Sequence, residues 1–350
     1  MTPIRPFGFS DIWLVRRLQS SGLVLAIEHA LTHPQQPLWT ALTAPWPWAG
    51  IGVATFILDE RSGDQRLVGF VQMMKRAARP EADLLHLSPA VSAAGCPGAE
   101  AVWQQLLRHC ASAAASQGLQ RIFASTPADC SEQTCLKDAG FSLYTQETIY
   151  RLAQGPVANS PAPGFRQQVP EDSWAMQRLY MGSTPKLVQQ AEGAVTGSVG
   201  SPMLSWWEPG SWRGVVWEPA GEIRGAVQVH VGRTGHWLRI WGTNELAARE
   251  LRALIAQGLR QLAVAGRRNR PVPIYATVRD YEVGLDGALT GFGFAPFLDR
   301  ARLVRHILAA ARQPMPVPLA GREVRQEVPV QMHAERLDAH ALCHVAELRE

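Results

Sequence analysis

"IRPFGFSDIWLVRRLQ" (residues 4–19) and "FRQQVPEDSWAMQRLY" (165–180) carry the same pattern at two places in one chain. Arg5 answers Arg166, Asp11 answers Asp172, Trp13 answers Trp174, and Arg17-Leu18 answers Arg178-Leu179. Two further anchors follow in the same order. "LVGFVQMM" (67–74) answers "IRGAVQVH" (223–230), and "DAGFSLYTQETIYRL" (138–152) answers "GFGFAPFLDRARLVRHI" (291–307). Repetition in order and over this length marks a duplicated unit. Between the copies "AQGPVANSPAPG" (153–164) has no periodicity and reads as a linker. The predicted organisation is therefore a first domain over 1–152, the linker 153–164, a second domain over 165–312, and a tail over 313–350.

Each copy spells out the same elements. A short strand leads to Asp11 or Asp172, a helix-starting residue type. A hairpin follows: "GVATFILDE" turns through Ser62-Gly63-Asp64 into "RLVGFVQMM", and "RGVVWEP" turns through Ala220-Gly221-Glu222 into "IRGAVQVHV". Next come a third strand ("ADLLHLS" or "HWLRIWG") and a long helix predicted over 98–117 or 245–264. A buried-looking strand ("LQRIFAST" or "VPIYATV"), a short helix and a last strand after a "GF" step complete the copy. The order β-α-β-β-β-α-β-α-β is that of an α/β or α+β domain on a mixed sheet.

Composition narrows the function classes. Of 350 residues, 46% are hydrophobic and 18% charged, ordinary proportions for a globular protein. The most apolar run, "SGLVLAIEHALTHP", is interrupted by Glu28 and His29 and falls short of a membrane span. "MTPIRPFGFSD" lacks the charged-then-apolar design of a signal peptide. Five cysteines without paired spacing suit a reducing, cytoplasmic location. A net charge of +4, with "GRRNR" (266–270) as the densest basic run, gives no nucleic-acid footprint. In the tail, "RQPMPVPLAG" reads as extended. "HAERLDAHALCHVAELRE" reads as an amphipathic helix suited to packing on a domain or pairing two chains in a homodimer. His340, Cys343 and His344 lack a fourth ligand at zinc-like spacing, so no metal is expected.

The element order, the "IR…D" opening, the strand–loop–helix at 84–107 and the "D-A-G-F" to "Y-R-L" ending resemble the GCN5-related N-acetyltransferase (GNAT) fold, here in tandem. The resemblance covers most of residues 4–307. It implies acetyl-CoA or another acyl-CoA as co-substrate, bound where the central sheet splays, and a small-molecule or peptide amine as acceptor. It also implies a pyrophosphate seat on the loop and helix start after the fourth strand, where unpaired N–H groups and the helix dipole favour an anion. In the first copy that region is "LSPAVSAAGCPGAE". The resemblance places Leu87 and Ser88 beside the thioester, and Ser92, Gly95, Cys96, Gly98 and Ala99 around the phosphates. Pro97 removes one donor and Glu100 adds a negative charge. The second copy enters its helix through "GTNELAARE", an ordinary start with Glu245 and Glu250 in its opening turns. The first copy is therefore the expected acyl-CoA binder.

Acyl transfer also needs a base for the amine and, for the departing thiolate, an acid. The tyrosine that the family places four residues before the "GF" glycine is Leu136 in one copy and Leu289 in the other. The remaining candidates are His86 as base, Tyr281 as proton donor and Cys135 beside Leu136, with Asp83 and His236 weaker. Two function classes follow: an N-acyltransferase centred on the first copy, or a catalytically degenerate pair that binds a ligand or a protein through a surviving cleft. A third, an aminoacyl-tRNA-using transferase, suits two such domains but not the weak positive charge.

Overall fold

The computed structural model describes residues 4–34, 36–44, 52–62, 65–76, 79–93, 98–153, 163–193, 212–265 and 272–307. The linker residues 154–162, the basic run 266–270 and the tail from 308 onward lie outside them, and with them the expectations placed there.

The first copy runs β1 (Ile4–Pro6), α1 (Ile12–Leu18), β2 (Leu23–Val24), α2 (Ile27–Thr32), α3 (Pro37–Thr43), β3 (Val53–Ser62), β4 (Gln65–Lys75), β5 (Glu81–Ser88), α4 (Ala99–Ser116), β6 (Arg121–Pro127), α5 (Ser131–Asp138) and β7 (Ser142–Leu152). The second runs β8 (Phe165–Gln167), α6 (Ser173–Ser183), α7 (Lys186–Ala191), β9 (Trp212–Trp217), β10 (Gly225–Val231), β11 (His236–Gly242), α8 (Ala248–Ala265), β12 (Ile274–Arg279), α9 (Leu285–Thr290) and β13 (Ala295–His306). Both contain the expected order, with additional elements after the first helix: β2, α2 and α3 in the first copy and α7 in the second. The helix predicted over 245–264 begins three residues later because Glu250 reaches back to accept from the Ala247 N–H at 2.8 Å, which sets the helix entry. Among the described residues the first copy has two elements without a counterpart, the two-residue strand β2 and one of the helices α2 and α3.

The repeat of the opening segments has a structural cause. Asp11 accepts from the Gly8 N–H (2.8 Å) and from both terminal nitrogens of Arg5 (2.5 and 2.6 Å). Asp172 accepts from the Val169 N–H (2.9 Å) and twice from Arg166 (2.7 and 2.8 Å). Each aspartate fixes the strand-to-helix step by satisfying a backbone donor and a guanidinium together. Neither acts as a simple helix cap.

All the described strands join one sheet, in the order β1-β3-β4-β5-β6-β13-β7-β12-β11-β10-β9-β8, with β2 on β5. The order shows an exchange. β13, the last strand of the second copy, lies antiparallel beside β6 of the first, with Arg302 opposite Ser125. β7, the last strand of the first copy, lies beside β12 of the second, with Arg279 opposite Glu147. β7 and β13 also pair with each other. Each copy thus completes its partner's half of the sheet. One core gathers Leu84, Leu87, Trp103, Leu106 and Leu136 from the first copy around Ala301 and Leu303 from β13. The other gathers Leu238, Ile240, Leu254 and Leu289 from the second around Tyr150 and Leu152 from β7.

Candidate functional site: two splayed strand pairs and a charged central cavity

In each copy a parallel pair at the middle of the sheet separates after three residues. β5 pairs with β6 only from Glu81–Asp83 to Arg121–Phe123, and β11 pairs with β12 only from His236–Leu238 to Ile274–Ala276. Beyond those points backbone groups face a wedge, and the two wedges differ.

In the first copy the chain fills its own wedge. Leu23 and Val24 pair with Leu87 and His86, the Leu25 N–H donates to the Leu85 carbonyl (2.9 Å), and the Ser125 N–H donates to the Leu25 carbonyl (2.9 Å). Both edges are therefore satisfied from within, as buried backbone requires. Arg300, reaching in from β13, donates to the Val24 carbonyl at 3.1 Å and to Ser125. Gly22 leaves no room for a side chain, since a Cβ there would stand 2.1 Å from His86 Nε2.

These contacts settle where the expected residues of the first copy lie. Leu87 is fully buried against β2, and the Ser88 hydroxyl donates to the Leu18 carbonyl at 2.6 Å. The Ser92 N–H and hydroxyl both donate to one carboxylate oxygen of Glu132 (2.9 and 2.6 Å), so an internal anion holds the donors expected for phosphate. Burial raises the Glu132 pKa, and those donors outweigh it and hold the carboxylate low. Gly98, with φ at +85°, caps α4, and Ala99 is buried in its first turn. Gly95 and Cys96 lie outside the described residues.

The expected catalytic residues are scattered. His86 is buried, stacked on Phe70 at 5.3 Å, and its Nε2 has no partner among the described residues. Burial pushes its pKa down to about 4, so it stays neutral under the first copy's sheet rather than standing half exposed. Cys135 sits in the first core, and burial, with the acids around it, pushes its thiol up to about 11. Asp83 is held by Arg76 through two bonds of 2.7 Å, and His236 is buried on β11. Tyr281 alone reaches an open site.

That site is the wedge of the second copy. β11 and β12 diverge there around a cavity of about 470 Å³, walled by Ile240, Trp241, Leu246 and Leu251, by Gly182–Pro185 at the end of α6, and by Tyr281. Its base is bridged by side chains, Arg239 donating to Glu282 (2.9 Å) and to the Thr277 carbonyl (3.1 Å). Beside it the buried Thr243 hydroxyl has no partner among the described residues. The Ala247 N–H at the α8 entry is already taken by Glu250, so an incoming anion finds that donor occupied.

A second cavity lies where the two halves meet. Trp212, Trp237, Trp241, Tyr144 and Phe123 supply its aromatic walls, and between them stand Glu28, Glu147, Glu192 and five arginines. Arg302 of β13 bonds Glu28 of α2 and reaches Glu147 of β7 at 3.4 Å. Burial pushes the Glu28 carboxyl above its usual range, against the pull of Arg302. Glu192 accepts from Tyr180 (2.6 Å) and Arg279 (2.6 Å), and Arg279 in turn donates to the Tyr281 hydroxyl at 2.8 Å. A continuous chain of hydrogen bonds thus joins the central cavity to the second wedge. Burial raises the Tyr281 pKa against the pull of Arg279 and Arg239, so the phenol keeps its proton at neutral pH. Burial raises Glu192 as well, but Arg279 and Tyr180 outweigh it and hold that carboxyl ionised.

Sequence reasoning passed over this cavity because its lining comes one or two residues at a time from both copies. The available signal was charge inside apolar strands and helices: Glu28 in "LVLAIEHAL" and Arg300 and Arg302 in "DRARLVRH". Such residues are rarely buried without partners.

A mixed sheet of two α/β halves, each with a splayed central strand pair, is the architecture these elements define. No protein-family profile and no curated protein matches the chain. Among solved structures it is similar in fold to a tandem GNAT protein from the clavulanic acid biosynthesis pathway, at 13% identity and a TM-score of 0.47 over 87% of this chain and 98% of that one. It is likewise similar to a GCN5-related N-acetyltransferase from Sphaerobacter thermophilus (13% identity, TM-score 0.48, 87% and 95% covered). A GCN5-related N-acetyltransferase from Kribbella flavida matches over 67% of this chain and 86% of its own length (13%, TM-score 0.41). No described helix is long and apolar enough to cross a membrane. Among the described residues no cluster of His, Cys, Asp or Glu is arranged to hold a metal ion.

Proposed function

We propose that the chain is an N-acyltransferase with a single working cleft, the wedge of its second copy, taking an acyl-CoA thioester as donor and an amine as acceptor. The observation that carries this reading is the contrast between the wedges: the second is open with a protonated phenol in its wall, and the first is sealed by Leu23–Leu25 and Arg300. The reading moves the acyl-CoA site from the first copy, where the sequence put it, to the second. In the reaction the amine nitrogen attacks the thioester carbon, and the C–N bond forms as the C–S bond breaks. The departing thiolate takes the phenolic proton of Tyr281. The proton lost by the amine passes to solvent in the open wedge, from which the phenolate is reprotonated, while Arg279 stays a guanidinium throughout. Arg279, donating to the phenolic oxygen, stabilises the charge that develops there.

A second reading, a binding scaffold without catalysis, is favoured by the carboxylates of Glu132 and Glu250, which occupy backbone donors at or beside both helix entries. Titration calorimetry with acetyl-CoA separates the two. Gly182 lines the open wedge, and a Cβ built on it meets nothing within 4 Å, so Gly182→Trp fills the mouth with little strain. The expected result is binding by the wild type and by Ser92→Ala, and loss in Gly182→Trp. Binding that survives Gly182→Trp overturns the placement. No binding by any of the three at about 1 mM acetyl-CoA overturns the acyltransferase reading and leaves the scaffold.

A further inference from the structure

The central cavity carries two buried N–H donors that donate to nothing among the described residues, Trp212 Nε1 and Arg279 Nε. Neither group can act as an acceptor, so a buried ligand that satisfies them must bring acceptor oxygens. The same walls present the carboxylates of Glu147 and Glu192, acceptors only, beside aromatic faces that attract a cation. Glu192 already accepts from Tyr180 and Arg279, and Glu147 from Arg302, but each carboxylate keeps lone pairs for a further donor. A ligand that brings both acceptor oxygens and N–H donors engages the two free donors and these carboxylates together.

Size sets a second limit. The cavity volume of about 50 Å³, against roughly 10–15 Å³ for one water, gives room for a handful of heavy atoms. Glu192 is tied through Arg279 to Tyr281, so a group bound at Glu192 lies next to the wedge wall. We propose that this cavity binds the acceptor as a compact zwitterion, a small free amino acid whose carboxylate accepts from Trp212 and Arg279 and whose amino group donates to Glu147 and Glu192. The proposal rests on the acyltransferase reading for the word "acceptor" alone; the binding site stands or falls separately.

The test is calorimetric titration of the full chain with glycine, L-alanine and β-alanine, each beside its methyl ester and its N-acetyl derivative. The ester removes the negative charge and the N-acetyl compound the positive one. At least one free amino acid is expected to bind about tenfold or more tighter than both of its derivatives. Trp212→Phe keeps the ring and deletes the donor. It is expected to weaken the free amino acid about fivefold or more while leaving the weak ester binding unchanged. An ester or N-acetyl derivative that binds as tightly as its parent, or the absence of binding by all three amino acids at about 10 mM, overturns the proposal. Amino-acid binding in a protein that ignores acetyl-CoA sustains the zwitterion site and sinks the acyltransferase reading. The reverse result does the opposite.

Discussion

The Tyr281 hydroxyl accepts from Arg279 at 2.8 Å and lines the open wedge, so its own proton is the one available to a leaving group. Tyr281→Phe is expected to lower kcat about 100-fold while acetyl-CoA affinity stays within about twofold, as steady-state kinetics and calorimetry would read. Because burial raises the phenol's pKa, its loss of protonation limits the rate only on the alkaline side, above about pH 10. Gly22 and His86 make a second residue-scale case. Gly22→Ala forces a methyl against the imidazole and is expected to cost about 1–3 kcal/mol in urea unfolding. His86 itself links stability to pH. Its folded pKa, about 4, lies below the ordinary value near 6.5, so below pH 6.5 the unfolded chain takes up a proton that the folded one refuses. Stability is complete above pH 6.5 and falls as the pH drops toward 4. His86→Leu is expected to flatten that fall by about 1 kcal/mol per pH unit, measured by urea titrations from pH 7 to 4.5.

Among the elements, β2 does most with least. Leu25, just after it, is buried and hydrogen-bonded to both sides of the first wedge. Leu25→Ala is expected to destabilise the fold by about 2–5 kcal/mol and, on the proposed reading that the second wedge is the binding one, to leave acetyl-CoA binding unchanged. A strand of two residues carries no period of its own, and nothing in "SGLVLAIE" separates it from a helix start. That is why the closing of the first wedge was not legible, and the glycines of "AAGCPG" made the first copy the expected acyl-CoA binder. The larger elements were legible because their signals are local. The helix over Ala99–Ser116 lies within a residue of the predicted span at each end, and the Arg5–Asp11 and Arg166–Asp172 pairs wrote the duplication into the sequence. The central cavity was not, since Glu28, Glu192, Trp212 and Arg302 meet only after distant strands pair.

At the scale of the whole molecule the exchange of β7 and β13 governs how the chain holds together. A fragment ending near residue 153 keeps β6 without β13, and one beginning near residue 163 keeps β12 without β7. Neither fragment is expected to fold alone by circular dichroism. Mixed together they are expected to co-refold into a 1:1 complex on size exclusion, and a chain nicked in the 153–164 linker is expected to stay assembled. Independent folding of either fragment would contradict the exchange.

The exchange also reaches back beyond the present chain. A half-length ancestor with the same strand habit could bury its last strand only in a second identical molecule, which makes it a swapped, twofold-symmetric dimer. Fusing two such genes would preserve the assembly and release the halves from identity. One pocket could then close over its own backbone while the other stayed open. The asymmetry between the two wedges is a freedom that no homodimer has, because any change to one subunit of a pair is made in both.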